Sequence, residues 1–220
     1  MIPLLLELRL LTTAMAGWTA ATSPVPLPID AVALAFEMRA ATPVEVKLYD
    51  ENLKVHATVL IDHAGNSDLE TTKQIQHLFR CRETNRQRPI ARQTLAMLAD
   101  VAERYEGKTI EFVSAHRARR GESRTSPHRH GRAIDFRIPG VKLREIRDYV
   151  WTKYSEVGVG YYPEGRYMHM DSRPGKHDTS WTFLKGKNHY NPSWAERARR
   201  KAKQSDKPAV ITAQARRSGS

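Results

Sequence analysis

Two short segments of this 220-residue chain restrict what it can fold into: residues 126–135 and residues 167–171. After position 133, apolar residues alternate with polar ones, so Asp135 lies on the polar face of a short predicted strand. The same alternation in residues 167–171 places His169 and Asp171 on one face of a second strand and two methionines on the other. Each predicted strand therefore has a polar face that can hold functional side chains and an apolar face that can be buried.

These strands predict a metal site if they are antiparallel neighbours. Opposing Cβ atoms in such a pair lie about 4.5–5.5 Å apart, which would bring Asp135 and His169 together. His128 lies in the loop before the first strand, where Gly131 can supply a tight bend. Two imidazoles and one carboxylate leave a coordination position open, as in catalytic rather than structural zinc sites. The predicted ligands of Zn²⁺ are therefore His128, Asp135 and His169.

The composition limits the classes of protein and partner. A single cysteine, Cys81, excludes an internal disulfide framework and a cysteine-rich zinc module. The net charge of +12 is uneven, because ten basic and two acidic residues in 185–220 contribute +8 of it. We predict that residues 185–220 form a basic, disordered and solvated tail, with contact to anionic lipid or anionic envelope polymers as the alternative role. No nucleic-acid partner is expected, since the charge lies mainly in this tail and no recognition helix or stacking motif is present.

The N-terminal residues 1–42 are expected to lie outside the folded domain. They begin with a leucine-rich run and continue with small alanines, which indicates a degenerate export signal. Glu7 and Arg9 interrupt the apolar run, so no stable membrane span is expected, and an ordinary amphipathic helix is the alternative. Three prolines in residues 23–28 indicate an extended linker.

Periodicity in the remaining chain predicts an α+β domain at residues 43–184. Ser67 and Glu70 form a capping-box pattern at the start of a helix. The fold class is a small antiparallel sheet with flanking helices and the zinc site at the sheet edge. Its predicted elements are a hairpin over 43–61, helices over 67–80, 90–105 and 142–155, a strand over 110–114, and a hairpin over 157–171.

The motifs also resemble those of a known family. The pattern Ser-x-His-x-x-Gly-x-Ala-x-Asp over 126–135, Gly-Val-Gly-Tyr-Tyr-Pro over 158–163, and an aromatic-x-His-x-Asp strand over 167–171 are similar to the zinc D-Ala-D-Ala carboxypeptidase and murein endopeptidase superfamily. This superfamily is related to lysostaphin-type peptidases and the hedgehog signalling domain. The nearest branch is a group of exported bacterial proteins once filed as a domain of unknown function. The resemblance implies a periplasmic or secreted zinc peptidase that acts on peptidoglycan peptides.

The resemblance also implies roles for individual residues. It assigns His128, Asp135 and His169 as zinc ligands and Arg117 as the residue that steadies the oxyanion of the tetrahedral intermediate. Elementary chemistry agrees, because zinc held by such ligands lowers the pKa of bound water toward about 7, and a cation beside the carbonyl oxygen shares its developing charge. Whether the reaction is that of a carboxypeptidase or an endopeptidase, and D,D or L,D in stereochemistry, stays open.

The general base is harder to assign. Many relatives carry a histidine two residues before the last ligand, or a glutamate three before it, where this chain has Tyr167 and Arg166. Asp171 is the candidate, either as a carboxylate that orients His169 or as the base itself. A strand-end carboxylate satisfied by backbone or arginine is the alternative. The alternative function is a zinc-containing module that binds cell-wall peptides without cleaving them.

Overall fold

The strands and helices between residues 43 and 172 follow the predicted apolar periodicity, and further elements continue to residue 205. The computed structural model describes residues 33–34, 38–39 and 41–205. Its strands are β1 (Pro43–Asp50), β2 (Val55–Asp62), β3 (Ile110–Ser114), β4 (Ala133–Arg137), β5 (Val157–Tyr162), β6 (Tyr167–Ser172), β7 (Thr179–Leu184) and β8 (Lys187–Tyr190). Its helices are α1 (Leu69–Leu78), α2 (Arg92–Arg104), α3 (Leu143–Lys153) and α4 (Ser193–Ser205), with a 3₁₀ helix at Pro127–His130.

All eight strands form one sheet, in the order β2-β1-β3-β4-β6-β5-β7-β8. The α+β class is confirmed, but the prediction of a small antiparallel sheet is wrong in two respects. The sheet is large, and it is mixed, because β1 pairs with β3 and β5 pairs with β7 in parallel. Parallel partners are joined by long connections, so local hairpin signals could not reveal them.

The helices cover one face of the sheet. Ile134 and Phe136 of β4 and Met168 and Met170 of β6 are fully buried in a core shared with apolar residues of the helices. By strand alternation, Asp135 and His169 project from the opposite face. The predicted placement of the site at the sheet edge is wrong, since β4 and β6 are the two innermost strands.

The start of α1 differs by one residue from the predicted cap. Asp68, not Ser67, is the N-cap residue, and its Oδ1 accepts a hydrogen bond from the Thr71 backbone N–H at 2.7 Å. Both side-chain types are good caps, so composition alone could not separate the two neighbouring positions.

The predicted disorder of the tail is wrong for residues 187–205. Strand β8 extends the sheet, and α4 packs against α3 through Trp194, which is 8% exposed. The indole Nε1 of Trp151 donates to the Ala195 carbonyl at 2.8 Å, and that of Trp194 donates to Thr182 Oγ1 at 2.9 Å. Burial of an aromatic side chain outweighs the high charge of α4.

Residues 206–220 lie outside the described residues, and so do residues 1–32, 35–37 and 40 of the predicted export signal and proline-rich linker, 1–42. Among the helices of the described part, none has the length and apolar character to cross a membrane.

Candidate metal centre

Strand register brings two of the predicted ligands together. Asp135 of β4 lies directly opposite His169 of β6 in an antiparallel pair, and both are almost fully buried. Asp135 Oδ1 lies 2.8 Å from His169 Nδ1. A one-residue slip of either strand would turn its side chain to the helix-covered face, so the buried apolar pattern fixes this juxtaposition.

A short 3₁₀ helix delivers the third ligand. It ends at Gly131, whose φ of 65° is the left-handed conformation that glycine adopts without strain. His128 Nε2 then lies 3.1 Å from His169 Nδ1 and 3.3 Å from Asp135 Oδ1. His130, in the same helix, is exposed and contacts the Arg124 carbonyl, so it is not part of the cluster.

Each imidazole is anchored through its other nitrogen. His128 Nδ1 donates to the Ala115 carbonyl at 2.6 Å, and His169 Nε2 donates to Asp171 Oδ2 at 2.8 Å. These bonds leave His128 Nε2 and His169 Nδ1 facing each other beside a carboxylate oxygen. Metal-ligating histidines are held by such second hydrogen bonds, which fix the tautomer and the orientation of the ring.

His128 Nε2, Asp135 Oδ1 and His169 Nδ1 are all hydrogen-bond acceptors in these tautomers, so a proton or another cation must lie among them. The pKa values agree with this. Burial opposes the charged form of His169, but hydrogen bonds to Asp135 and Asp171 outweigh it and raise the His169 pKa to about 9. Burial lowers the pKa of His128. The pKa of Asp135 is lowered despite its burial, by the charges and hydrogen bonds of the two histidines. A divalent metal ion can replace the proton at His169, so the donor set fits zinc.

Arg117 lies at this cluster. Its Nη2 donates to Asp135 Oδ2 at 2.6 Å and also contacts His128 Nε2. The side chain is 28% exposed, whereas its Nε is buried and has no acceptor among the described residues. A partly exposed guanidinium can donate hydrogen bonds to an oxyanion of a bound ligand.

Asp171 lies behind His169 and is fully buried. Its two oxygens accept hydrogen bonds from His169 Nε2 and from Arg173, whose Nε and Nη2 donate at 2.6 and 2.9 Å. The imidazole ring therefore separates Asp171 from the Nδ1 that faces the other ligands. This geometry suits a carboxylate that orients His169, and it does not suit a base that must reach an ion or water at Nδ1.

Two glycines that sequence reasoning did not single out as functional shape the site. Gly158 and Gly160 of β5 pair with Asp171 and His169 of β6. A Cβ atom at Gly158 would overlap the Asp171 carboxylate, and one at Gly160 would lie 2.5 Å from the Trp181 ring. The Gly-Val-Gly spacing carried this signal, because it leaves one face of β5 without side chains at both positions.

An open cleft of about 730 Å³ borders His169. Trp181 forms part of its wall, packs on His169 with ring centroids 5.0 Å apart, and donates from Nε1 to the Tyr162 hydroxyl at 3.1 Å. Tyr167 stacks on Tyr162, and burial raises the Tyr167 pKa to about 12. Tyr167 therefore stays neutral near pH 7 and cannot act there as a general base.

A second group of possible ligands is a satisfied polar network. The His63 side chain is only 9% exposed. Its two ring nitrogens contact different carboxylates, Asp100 at 2.7 Å and Glu103 at 3.3 Å. Asp100 also accepts from the Tyr154 hydroxyl, and Glu103 pairs with Arg39. The two carboxylates thus lie at different nitrogens of the one His63 ring. By contrast, one nitrogen of His128 and one of His169 face the same oxygen of Asp135.

Comparison with known proteins places this site in a family. "Peptidoglycan L,D-endopeptidase MepK" of Escherichia coli (strain K12) is 38% identical over 71 residues, which cover 32% of this chain and 38% of that protein. "Probable peptidoglycan L,D-endopeptidase MepK" of Haemophilus influenzae is 41% identical over 58 residues, or 26% of this chain and 31% of that protein. The chain thus spans about a third of the length of the curated relatives it matches. No solved structure matches it.

A family model matches a longer part of the chain. The model described as "Peptidoglycan L,D-endopeptidase MepK" matches residues 38–178, which is well over half of the sequence and includes all three candidate ligands. The resemblance to the zinc D-Ala-D-Ala carboxypeptidase and murein endopeptidase superfamily is confirmed by this match. The chain belongs to the family described as Peptidoglycan L,D-endopeptidase MepK.

Proposed function

We propose that this chain is a zinc-dependent peptidase that hydrolyses peptide bonds in the stem peptides of peptidoglycan. The observation that carries the proposal is the convergence of His128 Nε2, Asp135 Oδ1 and His169 Nδ1 within 3.3 Å of one another, with both imidazoles anchored from behind. Family membership supports the peptidase activity and the cell-wall substrate. Two imidazoles and one carboxylate are the ligand set of zinc hydrolases.

In the proposed mechanism, His128, Asp135 and His169 hold the zinc ion. When bound, the ion supplies positive charge that activates water and polarises a carbonyl group. The Ala115 carbonyl and Asp171 hold the two imidazoles in the tautomers that leave the ligand nitrogens free. Arg117 donates hydrogen bonds to the oxygen of the scissile carbonyl as negative charge develops there. Asp171 is thus a positioning residue in this proposal.

We further propose an endopeptidase of L,D type that works in the periplasm or outside the cell. The names of the Escherichia coli and Haemophilus influenzae relatives support the bond type, and the substrate they name is an envelope polymer. A cleft of about 730 Å³ that is open to solvent suits a peptide that continues on both sides of the hydrolysed bond. Contact of the basic segment after residue 185 with anionic envelope polymers remains part of the proposal.

The test is digestion of purified muropeptides by the zinc-loaded chain, followed by mass analysis. Cleavage that a chelator abolishes and added zinc restores is the expected result. His169→Ala should abolish both zinc binding and cleavage, whereas Arg144→Ala, an exposed change on α3, should leave both intact. Zinc binding with stem-peptide binding but unchanged products would favour the non-catalytic module. Cleavage that is indifferent to zinc and to His169→Ala would refute the assignment.

A further inference from the structure

The cleft that borders His169 is lined by more positive than negative charge. Its basic residues are Arg124, Arg132, Arg173 and Lys176, and its one acidic residue is Glu122. A cleft with low-dielectric walls and one sign of charge concentrates ligands of the opposite sign. The charge of the cleft is therefore a property of the site, separate from the basic helix α4.

Part of this charge is already balanced. Arg173 donates hydrogen bonds from Nε and Nη2 to the buried Asp171 carboxylate. Glu122 lies 3.4 Å from Arg119 Nε and accepts from the Ser126 hydroxyl at 2.5 Å. By contrast, no carboxylate in the described part of the chain lies at salt-bridge distance from Arg124, Arg132 or Lys176. These three cations form the unbalanced charge of the cleft.

Arg132 is the best positioned of the three, because its backbone is fixed. Its carbonyl accepts hydrogen bonds from Thr94 Oγ1 and from the Ser172 N–H, both at 3.0 Å. Thr94 and Ser172 are themselves buried and bonded to each other at 2.8 Å. Arg132 thus lies directly before β4 on a hydrogen-bonded backbone, whereas Arg124 lies on a loop. Lys176 follows β6 in a turn closed by its N–H to the Arg173 carbonyl at 2.9 Å.

Strand geometry gives the distance from the candidate metal centre. Arg132 is level with Ser172, three residues beyond His169 along β6, which corresponds to about 10 Å at roughly 3.3 Å per residue. An extended peptide advances by a similar distance in three residues, and one long side chain spans much of it. A group held at Arg132 therefore lies beyond the residues joined by the scissile bond, or at the end of a long side chain of one of them.

We propose that Arg132, assisted by Lys176, binds a free carboxylate of the peptide and so makes the cleft selective for acidic stem peptides. This proposal rests on the proposed peptidase function and adds the substrate class. A guanidinium recognises a carboxylate through paired hydrogen bonds, which a neutral amide cannot reproduce. The acidic residues of peptidoglycan stems carry such carboxylates, and amidation removes their charge with almost no change in size.

The experiment compares two stem-peptide dimers that are identical except for amidation of the carboxylates of their acidic residues. For the zinc-loaded wild type, we expect kcat/KM to be about tenfold higher on the free-carboxylate dimer, mainly through KM. Arg132→Gln should reduce this ratio toward one, and Arg132→Lys should recover part of it. Arg144→Gln, which removes an exposed arginine of α3, should leave the ratio as in the wild type.

Two results would overturn the proposal: a wild-type ratio near one, or an Arg132→Gln variant that keeps the wild-type ratio. Calorimetric titration of zinc-loaded protein with the same two peptides separates this proposal from the peptidase assignment. If neither dimer is cleaved, the peptidase function fails. Tighter binding of the free-carboxylate peptide by the wild type than by Arg132→Gln would still support the carboxylate site, and equal binding would refute it.

Discussion

The bond between His169 and Asp171 gives the sharpest test of the candidate metal centre. Asp171→Asn keeps the shape of the side chain but removes the negative charge that faces His169 Nε2 at 2.8 Å. An amide accepts this hydrogen bond more weakly than a carboxylate, so the imidazole becomes a poorer ligand through Nδ1. Loss of such a supporting group typically weakens metal binding about 10–100-fold, or about 1.4–2.7 kcal/mol.

The same change also breaks an ion pair, and this second effect must be separated from the first. Arg173 loses its charged partner, but its side chain is 22% exposed and can be partly rehydrated. The loss of folding free energy should therefore stay below the about 3–5 kcal/mol of a fully buried pair. Asp178→Asn is the matched control, because Asp178 also pairs with an arginine, Arg199, but forms no hydrogen bond or ion pair with a histidine side chain among the described residues.

Zinc affinity is measured by competition with a chromogenic chelator, and folding by urea denaturation of the zinc-free protein. We expect Asp171→Asn to bind zinc 10–100-fold more weakly and Asp178→Asn to bind it within about twofold of the wild type. If folded Asp171→Asn binds zinc as tightly as the wild type, Asp171 does not support a ligand. If both variants lose affinity equally, the cause is general loosening of the fold.

Four further changes test other parts of the structure. Arg117→Ala should reduce kcat on muropeptides by about 10²–10³-fold, yet should not weaken zinc binding in the chelator competition, because it removes a competing cation from the ligands. Gly160→Ala should cost about 1–3 kcal/mol in urea denaturation and weaken zinc binding, and Trp181→Phe in the same chain should recover part of both. Apparent zinc affinity should fall about tenfold per unit as pH decreases below 9, because a proton on His169 competes with the ion; titrations that show no change between pH 8 and 6 would contradict this. Trp194→Ala should cost about 3–5 kcal/mol in urea denaturation, and a smaller loss than 1 kcal/mol would show that α4 adds little to the fold.

The sequence was sufficient to predict the residues that converge, because each one depends on local pattern. Alternation assigned Asp135 and His169 to the polar faces of their strands, and Gly131 marked the bend after His128. The structure separates His128 from its neighbour His130 by direction, since His128 faces the cluster and His130 faces the Arg124 carbonyl.

Features that depend on distant partners were predicted poorly. The parallel pairing of β5 with β7 joins two strands that are separated in the chain by β6, so no local pattern predicted it. The high charge of α4 favoured disorder, although Trp194 buries its indole against Trp151, with ring centroids 6.0 Å apart. The two roles left open for Asp171 were separated only by the position of its oxygens behind the imidazole.

The orientation of His169 also depends on a strand that carries no candidate ligand. Strand β5 pairs with β6, and the face of β5 toward the cleft must leave room for side chains that surround His169. Gly158 leaves room for Asp171 and Arg173, and Gly160 leaves room for Trp181. A side chain at either position would shift a neighbour of His169 rather than His169 itself. The affinity for zinc should therefore respond to substitutions in β5 even though all three proposed ligands lie elsewhere, in β4, β6 and the 3₁₀ helix.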